Sequence, residues 1–117
     1  MSFCVRLKEP INAEVDVQEF IQVCVFSTVD LDRETKVLVA LGNRDQVEDI
    51  DFVFADGTSI DFNEVGVHIF EPAILNTCAN IIGTFKKTGE YLFNVALLDQ
   101  NNNDLLDFEV AVVKVFE

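Results

Sequence analysis

Residues 91–98 read Tyr91-Leu92-Phe93-Asn94-Val95-Ala96-Leu97-Leu98, and residues 106–113 read Leu106-Asp107-Phe108-Glu109-Val110-Ala111-Val112-Val113. Tyr91, Phe93, Val95 and Leu97 alternate with Leu92, Asn94, Ala96 and Leu98. Leu106, Phe108, Val110 and Val112 alternate with Asp107, Glu109, Ala111 and Val113. A period of two is the mark of extended strands. The polar stretch Gln100-Asn101-Asn102-Asn103 joins the two runs as a turn. Setting Leu97 against Leu106 keeps the large apolar residues together on one face of this hairpin. Leu92, Leu98, Val113 and Val115 then remain on the second face. Such two-sided runs imply that part of that face is covered, by a loop or by another subunit.

The same period runs upstream. Residues 20–29 (Phe-Ile-Gln-Val-Cys-Val-Phe-Ser-Thr-Val) and 36–41 (Lys-Val-Leu-Val-Ala-Leu, ending at Gly42) are rich in strand formers. Ile50, Phe52 and Phe54 share one face of a further run, and Ile60 and Phe62 share one face of the next. Asp56-Gly57 joins these two. A two-residue loop would pair Phe52 with Asp61, so a three-residue loop, Ala55-Asp56-Gly57, is predicted. It pairs Phe52 with Ile60 and Ile50 with Phe62, with Gly57 in the left-handed position. The stretch from Glu71 through Ala79 admits one short helical turn near 72–79 or an irregular path. A strand at about 79–86 and a turn at Lys87-Thr88-Gly89 follow. Pro10 and Pro72 are placed at strand or turn boundaries. The sum is an all-β chain of about seven or eight strands, a two-sheet antiparallel sandwich forming a single domain over residues 1–117.

Composition agrees with one packed core. The chain has 117 residues, half of them hydrophobic, with eleven Phe spread from Phe3 to Phe116. That is too apolar for a disordered chain and about the size of one domain. No apolar run reaches the roughly 20 residues that a membrane helix needs. Residues 1–8 lack the pattern of a secretory signal, so a cytoplasmic location is expected. Cys4, Cys24 and Cys78 are odd in number and irregularly spaced, which points to buried free thiols in a reducing compartment rather than a disulfide framework. The net charge is −13, from 21 acidic and 8 basic residues. Such a surface repels nucleic acid and anionic membranes and keeps an all-β protein apart from its copies.

The stretch Thr88-Gly89-Glu90-Tyr91-Leu92-Phe93 resembles the entry to the F strand of immunoglobulin-like sandwiches. There a Tyr hydroxyl closes a corner by bonding to nearby backbone. The resemblance implies that role for Tyr91, the only Tyr in the chain, and makes the last hairpin strands F and G. Phe93 stands where that family has its second cysteine, and the chain has no Trp. The antibody-type core is therefore not implied, and the fold alone implies no ligand.

Chemistry is sparse. The one histidine, His68, lies in the strand-like Val67-His68-Ile69-Phe70 and reads as structural. No C-x-x-C or H-x-x-x-H spacing suggests zinc. Nothing basic lies near Cys24 or Cys78 in sequence to make a reactive thiolate. In Asp99-Gln100-Asn101-Asn102-Asn103-Asp104-Leu105-Leu106-Asp107, a calcium loop would use Asp99, Asn101, Asn103 and Asp107. It has Asp104 where Gly is needed and Val110 where Glu is needed. The acidic groups Glu48, Asp49 and Asp51, and Asp30, Asp32 and Glu34, would serve acid–base chemistry only if they converged in a pocket. Alternation instead puts Asp51 and Asp61 on solvent faces. The expectation is no enzyme, with no catalytic, cofactor or metal residues assigned. The leading reading is a non-enzymatic interaction or assembly module acting through a sheet face or edge, with a protein partner or its own copies. The alternatives are a small-ligand or calcium-binding sandwich with acidic loops, and an acidic inhibitor of a basic partner.

Overall fold

The computed structural model of the protein describes residues 3–8, 12–27, 34–73 and 76–117, with the backbone alone for 3–8, 27 and 71–73. Ten strands are described: β1 (Phe3–Lys8), β2 (Asn12–Glu14), β3 (Glu19–Ser27), β4 (Thr35–Leu41), β5 (Ile50–Phe54), β6 (Ser59–Ile60), β7 (Val67–Ala73), β8 (Thr77–Phe85), β9 (Gly89–Asp99) and β10 (Leu105–Phe116). They form two five-stranded sheets. The first has the order β1-β3-β8-β5-β6 and the second β2-β10-β9-β4-β7. The two-sheet sandwich expected from the alternation is what forms. One pair departs from a purely antiparallel plan: β2 runs parallel to β10, with Ala13 beside Val115.

The core lies between the sheets and is built by every second residue of the long strands. Ile21, Val23 and Val25 of β3 contribute from the first sheet, and Val37, Val39 and Leu41 of β4 with Tyr91, Phe93, Val95 and Leu97 of β9 from the second. Phe52 is the centre. Its ring stacks on Phe93 at 5.8 Å and meets Phe85 and Phe62 edge-on at 5.6 and 6.1 Å. Edge-on and offset pairs suit the ring quadrupoles and add to the burial of area. Gly83 faces this ring from β8. A Cβ there would stand 2.8 Å from the Phe52 ring and 2.9 Å from Ile21 Cδ1, so the close approach of β8 requires glycine.

The β5–β6 turn follows the predicted three-residue loop. Phe52 pairs with Ile60, Gly57 has φ 94°, and the Gly57 amide donates to the Phe54 carbonyl. The second expected pair, Ile50 with Phe62, does not form, because β6 ends at Ile60. The helical turn considered near 72–79 is absent from the described part of that stretch. β7 runs to Ala73, Asn76 turns with φ 58°, and β8 starts at Thr77, while residues 74–75 lie outside the described residues. The short helix is elsewhere, a 3-10 segment at Arg44–Asp49, where the Asn43 side chain accepts from the Asp45 amide. That cap is the favoured geometry for Asn at a helix start. Pro72 falls in β7, an edge strand whose register against β4 slips between Thr35 and Val37. Edge strands and irregularities are where a residue without an amide hydrogen fits a sheet.

Tyr91 makes the corner that the resemblance implied. Its hydroxyl donates to the Lys87 carbonyl at 2.8 Å, and its ring is buried against Phe85.

Candidate interaction surface

The last hairpin decides which side chains reach solvent. Near its turn the register is the predicted one, with Leu105 opposite Leu98. A bulge between Leu105 and Asp107 then adds one residue to β10, so Leu97 faces Asp107 and not Leu106. A one-residue slip turns every following side chain to the other face. Ala111, Val113 and Val115 therefore fill the core, and Phe108, Val110 and Val112 point outward. This reverses the expected assignment for β10. Packing gives the reason. Tyr91 and Phe93 are the direct partners of Val113 and Ala111, and that side of the sandwich is already filled by the rings around Phe52. Ala111 is the small residue opposite Phe93, where the expected register would put the bulkier Val110 into that layer.

The turn itself is held by Asp99. Its carboxylate accepts from the amides of Asn101 and Asn102 at 2.9 and 3.3 Å. The Asn103 amide donates to the Asp99 carbonyl, and Asn103 sits at φ 62°. These residues act as turn formers, through local side-chain bonds and tolerance of the left-handed region.

The outcome is a continuous apolar surface on the outside of the second sheet. Registers define its rows. Lys114 lies beside Glu90, and Val112 beside Leu92. Val110, Asn94, Ala40 and Val67 form the middle row. Phe108, Ala96, Leu38 and Ile69 form the next, and Leu98 with Lys36 closes the far end. Phe108 is 52% exposed, Val110 49% and Ile69 44%. In these rows the charged residues are Lys114 and Glu90 at one end and Lys36 at the other, and the middle holds one polar side chain, Asn94. Single exposed apolar residues are ordinary, whereas this patch is contiguous across four strands.

Among the described residues, those singled out for chemistry are dispersed. Cys24 and Cys78 are partners in the β3–β8 register and form a disulfide, which corrects the expectation of free thiols. They are 54 residues apart in the chain, so spacing gave no sign of the pairing. Cys24 alternates with the core residues Val23 and Val25, so the bond lies on the outer side of the first sheet. Nothing is described of the Cys4 side chain. His68 is half-buried. Its Nδ1 donates to the Asp61 carbonyl at 2.9 Å, and its ring packs edge-on against Phe70 at 4.6 Å. That is a structural environment. Asp51 and Asp61 are exposed, as alternation implied. Asp49 is 3.5 Å from Lys87 Nζ. Asp30 and Asp32 lie outside the described residues. Among the described residues, no three His, Cys, Asp or Glu side chains gather as metal ligands would.

Two groups have shifted ionisation. The exposed Asp56 carboxyl is held below its ordinary range, chiefly because it accepts a hydrogen bond from the Thr58 amide. The Tyr91 hydroxyl is pushed up, first by burial and then by the nearby Asp49 carboxylate, against a smaller opposing effect of its bond to Lys87.

No protein-family model matches the chain, and no curated protein matches it in sequence. Among solved structures it is similar to a cohesin module from a Clostridium perfringens ATCC13124 family 33 glycoside hydrolase, with a TM-score of 0.58 and 12% identity. The match covers 97% of this chain and 95% of that one. At that identity the likeness is one of fold, a β-sandwich of the immunoglobulin-like class. Among the described residues no helix is long and apolar enough to cross a membrane.

Proposed function

We propose that this protein is a non-enzymatic interaction module that binds a protein partner through the outer face of its second sheet. The observation that supports it is the uncharged apolar surface spanning β10, β9, β4 and β7, which the bulge after Leu105 turns toward solvent. Charge depletion at the centre with polar groups at the margin is the composition of an interface core. The cohesin module it resembles in fold is a protein-interaction module, which is compatible with this reading.

The small-ligand alternative has less support. The cavity between the sheets is lined by apolar residues including Phe52, Phe62 and Phe70, and its volume is about 30 Å³. That is room for about one water, and the larger depression of about 430 Å³, lined by Glu14, Val17, Glu19 and Phe116 among others, lies open to solvent, where ligand pockets bury most of their ligand. The calcium alternative has less support as well, since Asp99 Oδ1 accepts from the amides of its own turn, the pattern of a plain hairpin turn. The cystine between Cys24 and Cys78 favours an oxidising compartment over the cytoplasm expected from free thiols.

The test is a comparison of the proteins retained from native cells by immobilised wild type, by Val110→Glu and by Phe20→Glu. Phe20 is exposed on the first sheet and serves as the control. Retention lost only with Val110→Glu supports the assignment. The same retained set on all three would overturn it.

A further inference from the structure

We propose that the occupant of this face is the same face of a second copy of this chain, arranged about a two-fold axis through Asn94. The inference rests on reading the outer side of the second sheet as a contact surface and adds the identity of what covers it.

Shape comes first. The face is one side of a sheet, and two sheets stack face to face about 10 Å apart. Two rows across four strands and one across two, with strands about 4.8 Å apart and rows about 6.7 Å apart, give roughly 300 Å² of apolar surface per copy. Two copies bury about 600 Å² of it, the scale of a weak, reversible contact rather than of a permanent dimer.

Symmetry is the second argument. An isologous contact must be complementary to itself. Asn94 lies in the middle row, and its amide is both donor and acceptor, so it satisfies its own copy. Along β9, Glu90 and Leu98 lie four residues to either side of Asn94, and Lys36 is the register partner of Leu98. An axis through Asn94, in the plane of the contact and across the strands, exchanges the two ends of the face. Lys36 of each copy then lies over the end where Glu90 of the other copy sits, twice by symmetry. The apolar rows containing Phe108, Leu38 and Ile69 meet the end containing Val112 and Leu92.

Charge is the obvious objection, since each copy carries −13. The middle rows carry no acidic side chain, however. Repulsion between exposed charges is largely screened beyond about 8 Å at physiological salt, so the centre is where like charge opposes contact least.

Sedimentation velocity of the full chain, from about 1 μM to about 1 mM in about 0.15 M salt, tests this. A concentration-dependent dimer is expected. Val110→Glu should abolish it and Phe20→Glu should leave it unchanged. Lys36→Glu and Glu90→Lys should each weaken it about tenfold, and the double exchange in one chain should restore it. Circular dichroism checks that each variant is folded. A monomer at every concentration overturns the proposal, as does a dimer that persists in Val110→Glu or a double exchange no tighter than the single ones. A monomer whose retention of other proteins still depends on Val110 would sink only the self-pairing and leave the contact surface standing.

Discussion

Replacing Gly83 by Ala adds one methyl group at the centre of the core, and the structure says what it meets. The new Cβ would be 2.8 Å from Phe52 Cε1 and 2.9 Å from Ile21 Cδ1. Ile21 offers the end of a flexible side chain and can give way. Phe52 cannot do so easily, because its ring is held by Phe62, Phe85 and Phe93 at centroid distances of 6.1, 5.6 and 5.8 Å. Overpacking of this kind costs about 1–3 kcal/mol. The loss of glycine's freedom in the unfolded chain returns about 0.5–1 kcal/mol. Gly83→Ala should therefore destabilise by about 1–2 kcal/mol, which lowers Tm by roughly 4–10 °C for a domain of this size. Urea unfolding followed by circular dichroism measures it, with an unchanged m-value as the sign that only stability moved. Phe52→Leu in the Gly83→Ala background should recover part of the loss, a coupling seen only if the ring is what the methyl group strikes. A neutral or stabilising Gly83→Ala, or strictly additive effects of the two substitutions, would refute the reasoning.

Tyr91→Phe removes the hydroxyl that donates to Lys87 and should cost about 1 kcal/mol in the same assay, because the exposed carbonyl can turn to water. The raised ionisation of that hydroxyl also fixes a pH dependence. Its contribution is complete below the unfolded value of about 10 and is lost as pH climbs through the higher folded value. Wild type should lose stability more steeply than Tyr91→Phe above pH ~10, as thermal melts at alkaline pH would show. Asp56 has the opposite sign. Its lowered folded value contributes stability above about pH 4 that disappears on acidification, so Asp56→Asn should flatten the acid limb of the melting profile. Reducing the protein, or making Cys24→Ala with Cys78→Ala, frees a loop closed across 54 residues and should cost about 2–4 kcal/mol, read as a lower denaturation midpoint.

The alternation of Tyr91, Phe93, Val95 and Leu97 was enough to place β9 and its inward face, because a strand offers each side chain only two directions. Gly57, Asp56 and the need to keep Phe52 beside Ile60 fixed the β5–β6 turn, since that register depends on neighbours a few residues apart. Tyr91 found its corner for the same local reason. The exposed apolar face of the second sheet was not legible in this way. In β10 both faces are apolar, so the pattern of Phe108, Val110 and Val112 against Ala111 and Val113 fits either side. One extra residue near Leu106 chose between them. That choice depends on the volume already occupied by Phe52, Phe85 and Phe93, which come from three other strands. The pairing of Cys24 with Cys78 is decided likewise, by a β3–β8 register that joins distant parts of the chain. Local periodicity thus determined that the chain forms strands and where most of them run. Only tertiary packing, which adds up volumes from residues far apart in sequence, decided which apolar face is left exposed.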